Sequence, residues 1–171
     1  TRPAGLILNN TGKMTTVITN GTLNFGDSEG IVYFNGLPSG GSAIQTIVYS
    51  SLAGQNGITF AGLSQLAEIK LSPSGGNPYT GGTRILSGRV IFSQSNALGG
   101  GDITVLGHEG GGGQLYLTAN LPPITNALHI SGLTGHAEGT RFGAIRFGAG
   151  NQFAGPVELL GDTRVAATQP G

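Results

Sequence analysis

The chain has no cysteine, and only eight basic and eight acidic residues among 171. Secreted proteins of this size often rely on disulfides, but a coil that gains stability by adding turns does without them. A phosphate backbone or an anionic membrane surface is held by a concentrated basic patch, and none is present, which argues against a nucleic-acid partner. The apolar segments fall far below the roughly 20 residues that a bilayer span needs, so no membrane insertion of this segment is expected. No signal peptide is visible, and the pattern is already under way at Thr1-Arg2-Pro3. We therefore expect an excerpt or processed piece of something larger.

Glycine is what the chain has in excess, with 33 copies. Collagen requires glycine at every third residue, a pattern that Leu63 to Leu71 lacks. The glycines lie instead between apolar triplets such as Leu115-Tyr116-Leu117 and Leu128-His129-Ile130, as punctuation for many tight turns. Polar surface has to come from Ser, Thr, Asn, Gln and backbone, a composition suited to an extracellular coat or stalk.

The runs are too short for helices and rich in Ile and Val, which makes them strands. Leu6-Ile7-Leu8, Thr16-Val17-Ile18, Thr22-Leu23-Asn24-Phe25 and Ile31-Val32-Tyr33-Phe34 open the series. A Gly-Ser loop at Ser39 to Ser42 is expected to be an exposed excursion, and Ala61 to Ala67 hints at a helical turn. Arg84-Ile85-Leu86, Arg89-Val90-Ile91-Phe92 and Asp102-Ile103-Thr104-Val105 follow as three separate runs. Asn20-Gly21 fits a hairpin turn, the main rival to a parallel coil, because a hairpin makes consecutive strands antiparallel neighbours. In a coil the partner lies a whole turn away, inward residues pile into apolar columns about 4.8 Å apart, and charged residues point out. Ala67-Glu68-Ile69-Lys70-Leu71 shows that alternation, and Arg84, Arg89, Arg146 and Arg164 are expected outside, in sparse exposed pairs with Glu68 and Glu158.

Candidate chemistry is thin. His108-Glu109 opens like a zinc-protease helix, but Gly110 to Gly113 stand where the second histidine belongs, so a flexible loop is expected. Those glycines lack the Lys-Ser/Thr and helix of a phosphate cradle. His129, His136 and Glu138 share no ligand spacing, and we expect neither metal nor cofactor. Gly99-Gly100-Gly101-Asp102 resembles a single copy of a calcium-binding turn that works only in tandem, which leaves Asp102 a turn residue. Glycoside hydrolysis needs two carboxyls flanking one bond, and the acids Asp27, Glu29, Glu68, Asp102, Glu109, Glu138, Glu158 and Asp162 are scattered. Only Asp27 with Glu29, or Glu109 with Glu138, would pair, and both pairs sit on glycine-rich loops. Tyr33, Tyr79 and Tyr116 are candidate stacking platforms for glycans.

The segment Gly76 to Val105 carries Tyr79-Thr80-Gly81-Gly82-Thr83, then Gly88 opening a strand, and Ala97-Leu98-Gly99. It resembles the autotransporter-associated β-strand repeat of bacterial passenger regions, with a looser likeness continuing to Val165. The resemblance implies a right-handed parallel β-helix, exported and displayed at the cell surface. The fold expected is therefore all-β, one continuous single-stranded parallel β-helix over residues 1–171 with a repeat-like core at 76–165. The function expected is a non-catalytic stalk, adhesin or fibre component, secreted or displayed outside the outer membrane. Its partners would be further coils of its own kind end to end, or host and matrix glycans. The alternative is a polysaccharide-active or glycan-binding module on the same scaffold.

Overall fold

The structure, a computed structural model, describes residues 2–10, 16–36, 46–108, 111–118, 120–135 and 142–167. The loop expected at Ser39 to Ser42 lies outside these residues, as do Glu109, His136 and Glu138. The chain winds as a parallel β-solenoid. Its first coil is β1 (Ala4–Asn10), β2 (Thr16–Ile18) and β3 (Thr22–Asn24), and its second is β4 (Gly30–Gly36), β5 (Thr46–Val48) and β6 (Ser51–Ala53). Then come β7 (Ile58–Gly62) with β8 (Glu68–Leu71), and β9 (Thr83–Phe92) followed by a 3-10 turn at Ser95–Leu98. The series ends with β10 (Ile103–His108) and β11 (Gly111–Leu117), β12 (Leu128–Gly132) and β13 (Ile145–Phe147), and β14 (Val157–Thr163) and β15 (Val165–Ala167).

Each strand pairs in parallel with its counterpart one coil away. The first face stacks β1, β4, β7, the first half of β9, β10, β12 and β14, and the second stacks β2, β5, β8, the rest of β9, β11, β13 and β15. On a third side β3 pairs with β6, and the Leu52 amide then bonds the Asn77 side-chain oxygen at 2.8 Å. Asn77 also donates to the Ala97 carbonyl at 2.8 Å, so one asparagine joins three levels where no strand forms. Such partners are 20 to 30 residues apart in sequence, the length of one coil.

Asn20 and Gly21 do make the left-handed turn that their types favour, with φ of 68° and 76°. The flanking β2 and β3 nevertheless pair with β5 and β6 rather than with each other, so the hairpin rival fails. Among the described residues the antiparallel pairing is confined to Gly107 with Gly112 and His108 with Gly111. The loop expected over Gly110 to Gly113 is thus strand from Gly111 onward. Two further expectations are corrected. The runs at Arg84 and Arg89 are one ten-residue strand, because Gly88, at φ 73°, turns the corner between faces without breaking the ladder. Ala61 to Ala67 contains no helical turn; β7 runs to Gly62 and a bend follows.

The core is a set of columns. Leu6, Val32, Phe60, Ile85, Val105, Ile130 and Leu159 are in register on the first face. Ile18, Val48, Leu71, Phe92, Leu117, Phe147 and Ala167 form one on the second. Each fully buried member contributes about 1.5–3 kcal/mol, and parallel register repeats the gain at every level.

The rule of charge outside breaks on the second face. Glu68, Arg89 and Gln114 stack in register on alternate positions to the core column, yet all three are buried. Arg89 donates through Nη1 to Glu68 at 2.6 Å and through Nε to Gln114 Oε1 at 2.7 Å, while Gln114 Nε2 donates to the Gly143 carbonyl at 2.8 Å. The Tyr116 ring lies 5.6 Å from the Arg89 guanidinium and 4.4 Å from that of Arg146, which is also 4.2 Å from Phe142. Period two sets which way a residue points; it is blind to a further layer over that face.

Removing one member of a buried pair strands the other charge. Arg89→Ala should cost about 3–5 kcal/mol in urea unfolding, and Glu68→Leu with Arg89→Met should cost far less. A single substitution as mild as the pair would show that the ionic link is not desolvated.

Candidate functional site

The repeat-like motif forms a knot between levels. Tyr79 is fully buried, and its hydroxyl donates to Thr83 Oγ1 at 2.5 Å, which donates in turn to the Leu98 carbonyl at 2.8 Å. Burial pushes the phenol far above its usual range, so it stays a donor. Ala97 and Leu98 are buried beside it. Gly99 turns at φ 67°, and a Cβ there would sit 2.3 Å from the Tyr79 ring. A Cβ on Gly81 would meet the Gly57 amide nitrogen at 2.2 Å, and one on Gly82 the Asp102 carbonyl oxygen at 2.6 Å. Thr80 ties its hydroxyl to the Gln55 carbonyl at 3.0 Å. These residues let coils approach at a corner, and they include no group free for chemistry. Tyr79 cannot serve as a glycan platform, and Tyr116 is covered by Arg146; Tyr33 is half-exposed.

A second constellation was spread over three sequence triplets. In register, Thr104, His129 and Glu158 form one outward column on the first face. His129 Nδ1 lies 2.7 Å from Glu158 Oε2, and Nε2 lies 3.4 Å from Asp102 Oδ2. Both ring nitrogens therefore face carboxylates, an arrangement that only the imidazolium satisfies fully. The bond to Glu158 chiefly raises the His129 pKa, with Asp102 adding and partial desolvation opposing. Aligning the triplets Ile103-Thr104-Val105, Leu128-His129-Ile130 and Val157-Glu158-Leu159 would have found this column from sequence. Asp102 is thus half of an ion pair as well as a turn residue.

The ring stands between the two carboxyls, so no glycosidic bond fits between them, and they bind opposite edges of it and cannot converge on one ion. Among the described residues no group of three or more His, Asp or Glu is placed to hold a metal. His108 closes β10 beside Gly111, and its expected partners lie outside the described residues. Glu29 accepts the Thr59 hydroxyl at 2.6 Å. No described helix is long and apolar enough to cross a membrane. Comparison with protein-family models, with curated proteins and with solved structures gave no match.

Tyr79→Phe should lose about 1 kcal/mol, the net value of one hydrogen bond, and Gly99→Ala more, because backbone and ring must both move. Equal, negligible losses in thermal unfolding would dissolve the knot. For His129, a raised folded pKa gives stability that is fully present below the unfolded value of 6.5 and lost as pH rises through the folded one. The unfolding midpoint should fall across that window in the native chain and stay level in His129→Asn.

Proposed function

We propose that the chain is a non-catalytic structural segment of a secreted or cell-surface bacterial protein, related to autotransporter passengers, whose ends join further coils. Its support is the state of the last level. Leu128, Ile130 and Ile145 are 3%, 2% and 0% exposed, whereas their column partners Val157, Leu159 and Val165 are 52%, 65% and 51% exposed. The columns thus run without a cap to a face of aliphatic side chains, next to a strand edge whose backbone groups remain available for another strand. A further coil in the same register would cover both.

The other end offers the matching surface. Ala4 and Leu6 hold the inward register positions of β1, so a second copy seated on β14 would place them over Val157 and Leu159. The low charge of the chain removes the repulsion that keeps most solenoid ends apart. Stiffness follows from the same geometry, since bending opens hydrogen bonds and columns together. A stalk, fibre or adhesive surface uses that property directly.

Sedimentation equilibrium should show concentration-dependent association of the native chain, with rods in electron micrographs. Val157→Lys with Leu159→Lys should return it to monomers without loss of β signal in circular dichroism. A native chain that is monomeric at every concentration would refute the end-to-end reading.

A further inference from the structure

Beyond that structural role, the outer side of the first face holds a cleft of about 380 Å³ at the N-terminal ends of its early strands. Glu29, Thr59 and Arg84 line it, with Gly57, Gly81 and Gly82. A Cβ on Gly57 would lie 2.8 Å from the carbonyl oxygens of both Gly81 and Gly82, so stacking itself keeps this wall bare of side chains. Glu29 and Arg84 are both exposed and form no ion pair with each other among the described residues. Thr59 donates to one Glu29 oxygen at 2.6 Å and fixes that carboxylate at the cleft.

The register sets the span. Glu29 precedes Gly30, which pairs with Ile58, which pairs with Thr83, so Arg84 lies two levels up, about 10 Å along the axis, and two residues across. That is too wide for the two charges of a free amino acid, and a lone guanidinium opposite a carboxylate repels a phosphate chain. It suits a sugar ring with a carboxylate at one side and hydroxyls at the other.

We propose that this cleft binds one residue of a carboxylated glycan, a hexuronate, in a chain laid along the solenoid axis. Arg84 takes the carboxylate with its planar fork. The Glu29 oxygen not engaged by Thr59 accepts from ring hydroxyls, and the bare glycine backbone gives the ring room to approach. Thr104 and His129 continue the Arg84 column in register, extending the polar strip past the cleft.

Fluorescence polarisation of labelled trigalacturonate, against labelled maltotriose, tests this on the full chain. The native protein should bind the acidic trimer at least about tenfold more tightly than the neutral one. Arg84→Gln should erase that preference, Arg84→Lys should keep part of it, and Glu29→Gln should weaken both probes. Equal binding of the two trimers, no binding of either, or an undiminished preference in Arg84→Gln would each overturn the proposal. Association state is read separately, so loss of this site leaves the end-to-end reading standing.

Discussion

In-register parallel stacking is the constraint on which the rest depends. Once Thr83 pairs with both Ile58 and Ile103, every residue around that coil has its neighbours assigned above and below. Hydrogen bonds saturate the backbone between levels, and the same register converts scattered Leu, Ile, Val and Phe into columns. A slip of one residue would turn each column outward, so burial and register enforce each other. No disulfide is required because each coil is held by the pair that flank it.

Corners are where stacking is hardest, and the chain meets the difficulty with two chemistries. Glycine removes side chains where backbones nearly touch, as at Gly81 against Gly57. Asparagine supplies the hydrogen bonds that strands supply elsewhere. Asn151 donates to the carbonyls of Leu117, Thr118 and Gly148 at 3.1, 2.6 and 3.1 Å while its oxygen accepts from the Leu121 amide at 2.9 Å. Asn126 donates to the Gly99 and Gly101 carbonyls at 3.3 and 2.6 Å. The Tyr79–Thr83–Leu98 chain of bonds does the same from inside.

Few charges remain, and stacking decides their use. One column gathers Glu68, Arg89 and Gln114 beneath aromatic rings, where the arginine is fixed and structural. Another gathers Arg84, Thr104, His129 and Glu158 on an open face, where Asp102 and Glu158 hold the imidazole from both edges. The first ties neighbouring levels in a dry layer; the second leaves polar groups within reach of solvent and ligand. Val157, Leu159 and Val165 show what any level looks like before the next one covers it.

The sequence by itself determined the fold class, because short β-branched runs closed by glycine at coil-length intervals leave no long helix and no single sheet. It also determined most core positions, since apolar flanks around a variable middle residue mark the inward side of a strand. Tertiary structure alone decided which residues became neighbours: Glu68 and Arg89 read as outward and exposed, and only the layer over the second face buried them. The His129 column was written in three separate triplets but existed only after register aligned them. Periodicity is a local property of one strand, whereas burial and pairing across coils depend on chain 20 to 30 residues away.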